Sequence, residues 1–98
     1  MPHTKERDQI IELLNDAGDT PDAVADTLRD AGIKGKRGIS NQCPVSNYLH
    51  INLGPGKRPA VWSGFTHYAE HSIEHPAPVQ QFIDAFDGSN EYEDLLDV

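Results

Sequence analysis

Cysteine is almost missing from this sequence: Cys43 is the single copy in 98 residues. An internal disulfide is therefore impossible, and a cytoplasmic location is the default expectation. Long apolar runs are missing too. No stretch approaches the roughly 20 residues that a bilayer-spanning helix needs, so no membrane partner is expected. The opening MPHTKERDQ is polar and charged, unlike a secretory signal. Neither the G-x-x-x-x-G-K-[ST] phosphate loop nor the G-x-G-x-x-G dinucleotide fingerprint occurs, which removes the two best-marked nucleotide sites. The hydrophobic fraction is a low 37%. The apolar residues recur periodically, however, so a folded domain is expected rather than a disordered chain.

A chain of this length forms one domain, here 1–98, and buries roughly 60–65% of its unfolded surface. That supports one modest core and leaves little room for a substrate cleft with a lid.

Charge is distributed in blocks. Residues 1–30 carry eight acidic and three basic groups; residues 31–69 carry five basic groups and no acidic one; residues 70–98 carry eight acidic groups and no basic one. The net charges are −5, +5 and −8, which sum to the −8 of the whole chain. Two surfaces of opposite sign follow if the blocks fold onto separate faces, and mutual neutralisation follows if they do not.

The periodicity predicts an α+β fold, with helices at about 5–17, 21–31, 44–53 and 78–86 packed with a small β-hairpin at about 60–75. In the first helix Ile10, Ile11, Leu13, Leu14 and Ala17 form the apolar stripe, with Thr4 as cap and Gly18 as stop. The second is bounded by Thr20 as N-cap, Pro21 at the first position and Gly32 at the end, with Ile33 as the hydrophobic contact of a Schellman ending. GIKGKRGIS reads as a basic glycine loop over 32–40. The third helix opens at Pro44, with Val45, Tyr48, Leu49, Asn52 and Leu53 on one face. Pro59 to Gly64 read as a strand and turn; Phe65 onward reads as the returning strand, with a helix over 65–75 as the competing reading. The last helix buries Val79, Phe82, Ile83 and Phe86, and an acidic tail occupies 88–98.

VADTLRDAGIKGKRGISNQCPVSNYL resembles the opening of a group of small actinobacterial and actinobacteriophage proteins. These pair an A-L-R-x-A-G-I-x-G core with C-P-[LV]-x-x-Y-L, a short β region and a final F-x-x-x-F-D helix. The matching residues are Leu28, Arg29, Ala31, Gly32, Ile33, Gly35, Cys43, Pro44, Val45, Tyr48, Leu49, Phe82, Phe86 and Asp87. The resemblance covers roughly 20–88 and implies an α+β fold. It brings no activity and no functional residues.

Four features bear on chemistry. HYAEHSIEH, residues 67–75, holds the spacing H-x-x-E-H twice, through His67, Glu70, His71, Glu74 and His75. On a helix that spacing marks a zinc hydrolase of the inverted type. Such an enzyme also needs a third ligand and a substrate cleft, and nothing marks His50 or Cys43 as close. The expectation is no enzyme, no cofactor and no physiological metal, with His67, His71 and His75 as weak metal candidates. Their even separations predict one shared face, where neighbouring carboxylates would favour the imidazolium. Cys43, at the start of the third helix, has two readings: a thiol made acidic by the helix dipole and the loop cations, or a small apolar group packed under the loop.

The basic segment offers an anion site through Lys34, Lys36, Arg37, Lys57 and Arg58, with glycine backbone N–H groups and a helix start beside it. Phosphate, nucleotide or nucleic-acid binding is the alternative reading here. Nucleic acid is disfavoured, because the third helix has no Lys or Arg and the chain is acidic overall. The acidic end offers a protein-docking surface through Asp87, Glu91, Tyr92, Glu93, Asp94, Leu95 and Leu96, with Tyr92 and the leucines as apolar anchors. The competing reading folds those anchors back onto the last helix. The first expectation is a non-catalytic protein-interaction module, such as a phage or actinobacterial accessory protein that modulates a host factor through its acidic surface.

Overall fold

The chain runs α1 (Thr4–Asp16), α2 (Pro21–Asp30), α3 (Pro44–Leu53), β1 (Ala60–Val61), β2 (Phe65–Tyr68), β3 (His71–Glu74), α4 (Ala77–Gly88) and a closing 3₁₀ turn, Glu93–Leu95. This is a computed structural model, and it describes residues 4–54, 56, 58–68, 71–88 and 91–96. The side chain of Thr4, and with it the expected cap of α1, lies outside the described part. The architecture is α+β: four helices and a three-stranded antiparallel sheet in the order β1-β2-β3.

The boundaries have local causes. Thr20 accepts the Ala23 N–H at 3.1 Å and Pro21 fills the first position of α2. At the other end Ile33 N donates to Leu28 O at 2.9 Å and Gly32 N to Arg29 O at 3.0 Å. That is the Schellman pair, and it needs the left-handed φ of +70° that Gly32 supplies. Cys43 caps α3 by accepting the Ser46 N–H on its sulfur at 3.4 Å.

The helices pack in two pairs, α2 on α4 and α1 on α3, while α1 also meets β3 and α3 meets β1. One core results. It contains Ile10 and Leu14 of α1, Val24 and Leu28 of α2, Leu49 of α3, and Val79, Phe82 and Phe86 of α4. Ile11 and Asn52, both assigned to inner faces from spacing, are exposed instead. Asn52 turns back on its own helix and donates to Tyr48 O at 2.8 Å. Among the described residues no helix is long and apolar enough to cross a membrane.

The expected two-stranded hairpin is a three-stranded meander. β1 pairs with β2 through Ala60 with His67 and Val61 with Thr66; β2 pairs with β3 through Phe65 with Glu74, Thr66 with Ile73, His67 with Ser72 and Tyr68 with His71. That register overturns the shared face assigned to the three histidines. Directly opposed residues lie on the same side of a sheet. Thr66 and Ile73 are buried, so His71 and His75, each two positions from Ile73, take the inner side, and His67 takes the outer side with Ser72. An even separation keeps one face only within a single strand. Here the chain reverses between 67 and 71, and an odd register offset moves one histidine across. Glu70 lies outside the described residues.

Candidate functional site: the basic depression beside the third helix

The basic segment does not act as one patch. Arg37 turns inward: Nε donates to Phe86 O at 2.7 Å, and the guanidinium lies 5.2 Å from the centre of the Phe86 ring. It therefore satisfies a carbonyl in the last turn of α4, where a cation opposes the negative end of the dipole. Beside it Asp87 Oδ1 accepts the Gly38 N–H at 3.2 Å. These two bonds pin the loop to α4. Lys34 is exposed on the side of the acidic turn, and its charge helps hold the Asp94 carboxyl below the usual range, after the larger contribution of the Arg29 hydrogen bond. Lys57 lies outside the described residues.

Lys36 and Arg58 do converge. With Asn41, Gln42 and Asn47 they line one depression of about 380 Å³. The loop reaches this position because Gly35 packs directly on the start of α3. A Cβ there would fall 2.3 Å from Pro44 N and 2.5 Å from Cys43 C. The loop is further tied by Lys36 N to Gln42 O at 2.8 Å and by Asn47 Nδ2 to Lys34 O at 2.6 Å. Arg58 is drawn in by two neutral acceptors, Asn41 O at 2.8 Å and Asn47 Oδ1 at 2.7 Å. Neither bond cancels its charge. The walls thus combine a guanidinium, an ammonium and carboxamides, which are the donor types that hold phosphate oxygens. The positive end of α3 lies alongside. The amides Asn41, Gln42 and Asn47 were not singled out from the sequence. Their signal was a run of polar residues on both sides of a helix start.

Cys43, next in sequence after Gln42, is buried and lines the neighbouring cleft with Ile39 and Trp62. Burial pushes its thiol up to about 11, outweighing the backbone N–H groups of Ser46 and Val45 that pull it down. The acidic-thiol reading is therefore overturned, because desolvation defeats the helix start.

The histidine segment contains a different construction. His75 is buried; Nε2 lies 2.6 Å from the Thr66 hydroxyl and Nδ1 lies 2.7 Å from Gln80 Oε1. Gln80 Oε1 also accepts the Gly64 N–H at 2.8 Å, and Gln80 Nε2 donates to Asp84 at 2.8 Å. These directions place the imidazole proton on Nδ1, so that Nε2 accepts from Thr66. A hydroxyl against an imidazole is also the arrangement of a nucleophile and its base. Thr66 is 0% exposed, however, and offers no surface to a substrate. The chain of bonds ties the sheet to α4. Burial lowers the pKa of His75, against the opposing influence of Gln80 and Asp84. That is the reverse of the raised value expected for this segment. Among the described residues no cluster of three His, Cys, Asp or Glu side chains is placed to hold a metal ion.

The acidic end closes on the protein itself. Leu95 is 1% exposed, and Leu96 and Tyr92 pack against the core. The Tyr92 ring centre lies 5.0 Å from that of Phe82, and its hydroxyl donates to Asp22 at 2.6 Å. Asp94 receives both Nε and Nη2 of Arg29. Leu95 O accepts the Gly35 N–H at 2.9 Å, so the same glycine that packs on α3 also receives the tail. The apolar anchors proposed for docking are thus used inside the fold. Asp87, Glu91 and Glu93 keep exposed side chains.

Comparison of the chain with protein-family models, with curated proteins and with solved structures finds no match, so the resemblance to small actinobacterial and phage proteins stands on the quoted residues alone.

Proposed function

We propose that this protein is a non-catalytic binding module for a phosphate-bearing ligand, held in the depression between the basic loop, the start of α3 and Arg58. The observation that carries this reading is the convergence of Lys36 and Arg58 on one depression walled by carboxamides. Segment 31–69, which supplies every lining residue, contains no Asp or Glu. Arg58 is already oriented by Asn41 and Asn47, so little side-chain freedom is lost when an anion arrives. Binding is charge-assisted hydrogen bonding, and no covalent step is involved. The acidic helices on either side in sequence repel anions elsewhere and steer them toward this face.

The protein-docking reading ranks below it. Interfaces draw their energy from buried aromatic and aliphatic anchors. Leu95 and Tyr92 are committed to internal contacts, leaving the acidic end with charge alone.

Calorimetric titration of the full chain with inorganic pyrophosphate at low salt tests the proposal. Saturable binding that weakens about tenfold in Lys36→Gln is expected, the effect of one charge-assisted contact. Equal binding by wild type and Lys36→Gln, or no heat from either, would overturn it.

A further inference from the structure

The sheet turns an aromatic face outward next to the basic depression. Val61, Thr66 and Ile73 point to the core, so Ala60, Phe65 and His67 take the other side. Trp62 follows β1 directly and is 49% exposed; Phe65 is 39% exposed. The Trp62 N–H donates to Phe65 O at 2.9 Å, which fixes the two residues across one tight turn. Ile39, also exposed, lines a shallow cleft with Trp62 and Ser40. Three large apolar side chains thus stay in water around one turn of a protein small enough to need its apolar surface inside.

The depression and these aromatics are built on the same two strips of chain. Arg58 is bonded to Asn41 O at 2.8 Å, and Val61 N to Ser40 O at 2.7 Å. Segments 39–42 and 58–62 therefore run side by side, with the cations at one end and Trp62 at the other. Four residues of extended chain separate Arg58 from Trp62, about 13 Å. A ligand that satisfies both ends has an anionic group and a flat unsaturated ring a short step along the same chain.

We propose that the ligand is single-stranded nucleic acid, with a backbone phosphate in the depression and a neighbouring base stacked on Trp62; this rests on the phosphate-binding reading above. Cations that follow the backbone and exposed aromatics that accept bases without sequence preference are the two parts such binding needs. Duplex DNA does not fit. Reading a groove requires cationic side chains on an inserted helix or ribbon, and α3, the helix beside the depression, carries neither Lys nor Arg. Two carboxylates bound the surface. Asp87 forms part of the cleft wall with its Oδ1 turned to Gly38 N, and Glu74 stands opposite Phe65 on the outer face. They restrict the bound segment to the strip between Arg58 and Trp62.

Trp62 is the only tryptophan, so its fluorescence reports on this surface alone. The full chain is titrated with twelve-nucleotide oligo-dT, with oligo-U of the same length, with a duplex of the same length, and with pyrophosphate. The expected result is quenching by both single strands. Affinity falls with salt at a log–log slope of about −0.7, the value for one phosphate contact on a single strand. Trp62→Ala, an exposed substitution followed by anisotropy of a labelled strand, weakens binding about tenfold with the slope unchanged. Lys36→Gln weakens it and flattens the slope. A preference for oligo-U over oligo-dT assigns the ligand as RNA, and the reverse as DNA. Pyrophosphate binding without any Trp62 response to oligonucleotides would overturn the nucleic-acid inference and leave the phosphate site standing. Failure of both removes both. Duplex binding as tight as single-strand binding would also overturn it, as would a Trp62 signal that depends on protein concentration without added ligand, which marks the face as a contact between copies.

Discussion

The Thr66 hydroxyl and the His75 imidazole meet at 2.6 Å on the inner side of the sheet, both buried. Thr66 donates, and His75 accepts on Nε2 because Gln80 Oε1 receives the proton of Nδ1 at 2.7 Å. Protonation of Nε2 would turn this bond round, with the hydroxyl accepting and its own proton deprived of the imidazole in a buried site. Through Gln80 this pair joins the sheet to α4, and a loss of stability in acid is the expected consequence.

Burial lowers the pKa of His75 on folding. The unfolded chain then binds the proton more readily, so the contribution of this group is complete above its unfolded value of about 6.5. It is lost as pH falls through that value toward the folded one. Urea midpoints measured from pH 8 to pH 5 should decline below about 6.5, with a slope from this group under about 1.4 kcal/mol per pH unit. His75→Asn, which keeps a donor toward Gln80, should be less stable at pH 8 and should lose that part of the slope. An unchanged slope in the variant would place the acid sensitivity elsewhere.

Leu95 is the deepest residue of the closing turn, at 1% exposure. Leu95→Ala should lower stability by about 2–5 kcal/mol, the range for a buried leucine. Glu93→Gln, two residues earlier and exposed, should stay within about 0.5 kcal/mol of wild type. Similar denaturation midpoints for the two variants would show that the turn contributes nothing to the core.

Gly35→Ala places a methyl against the backbone of Gln42, Cys43 and Pro44, with the nearest atom at 2.3 Å. Backbone cannot rotate aside, so the loop must lift from α3. The expected cost is about 1–3 kcal/mol, read from thermal or urea unfolding. Pyrophosphate affinity should fall with it, because Lys36 is the next residue. A stable variant with unchanged affinity would contradict the close packing described for this loop.

The Cys43 thiol, pushed up to about 11 and buried, should be inert in the native protein at neutral pH. A disulfide reagent should label it only as fast as the protein opens, and at full speed in denaturant. Rapid labelling of the folded chain would overturn the buried position of this residue.

Local chemistry was legible in the sequence wherever one turn of chain decides the outcome. Thr20, Pro21 and Gly32 bound α2, and Pro44 opens α3, because caps and stops depend on neighbours within a few residues. The histidine face departs from the spacing because a strand's face depends on which residue it pairs with, and the offset that sets His67 against Ser72 and Tyr68 against His71 is not written in the separations of the histidines. The amides around Lys36 were passed over because their importance comes from Arg58, seventeen positions from Asn41. The fate of the acidic end was open in the sequence. A short stretch with Tyr92, Leu95 and Leu96 among carboxylates suits a docking segment and a folded-back turn equally. The choice is made by distant groups: Asp22 for Tyr92, Arg29 for Asp94, and Gly35 for Leu95.

Amide chemical-shift mapping addresses the depression lined by Lys36 and Arg58 most directly. Uniformly labelled protein is titrated with pyrophosphate at low salt, and each backbone N–H is followed. Saturable shifts confined to residues 34–36, 41–43, 45–47 and 58 are expected, with α1 and α4 unmoved, together with their loss in Lys36→Gln. Shifts spread evenly over the molecule, or centred away from α3, would contradict a phosphate site in this depression.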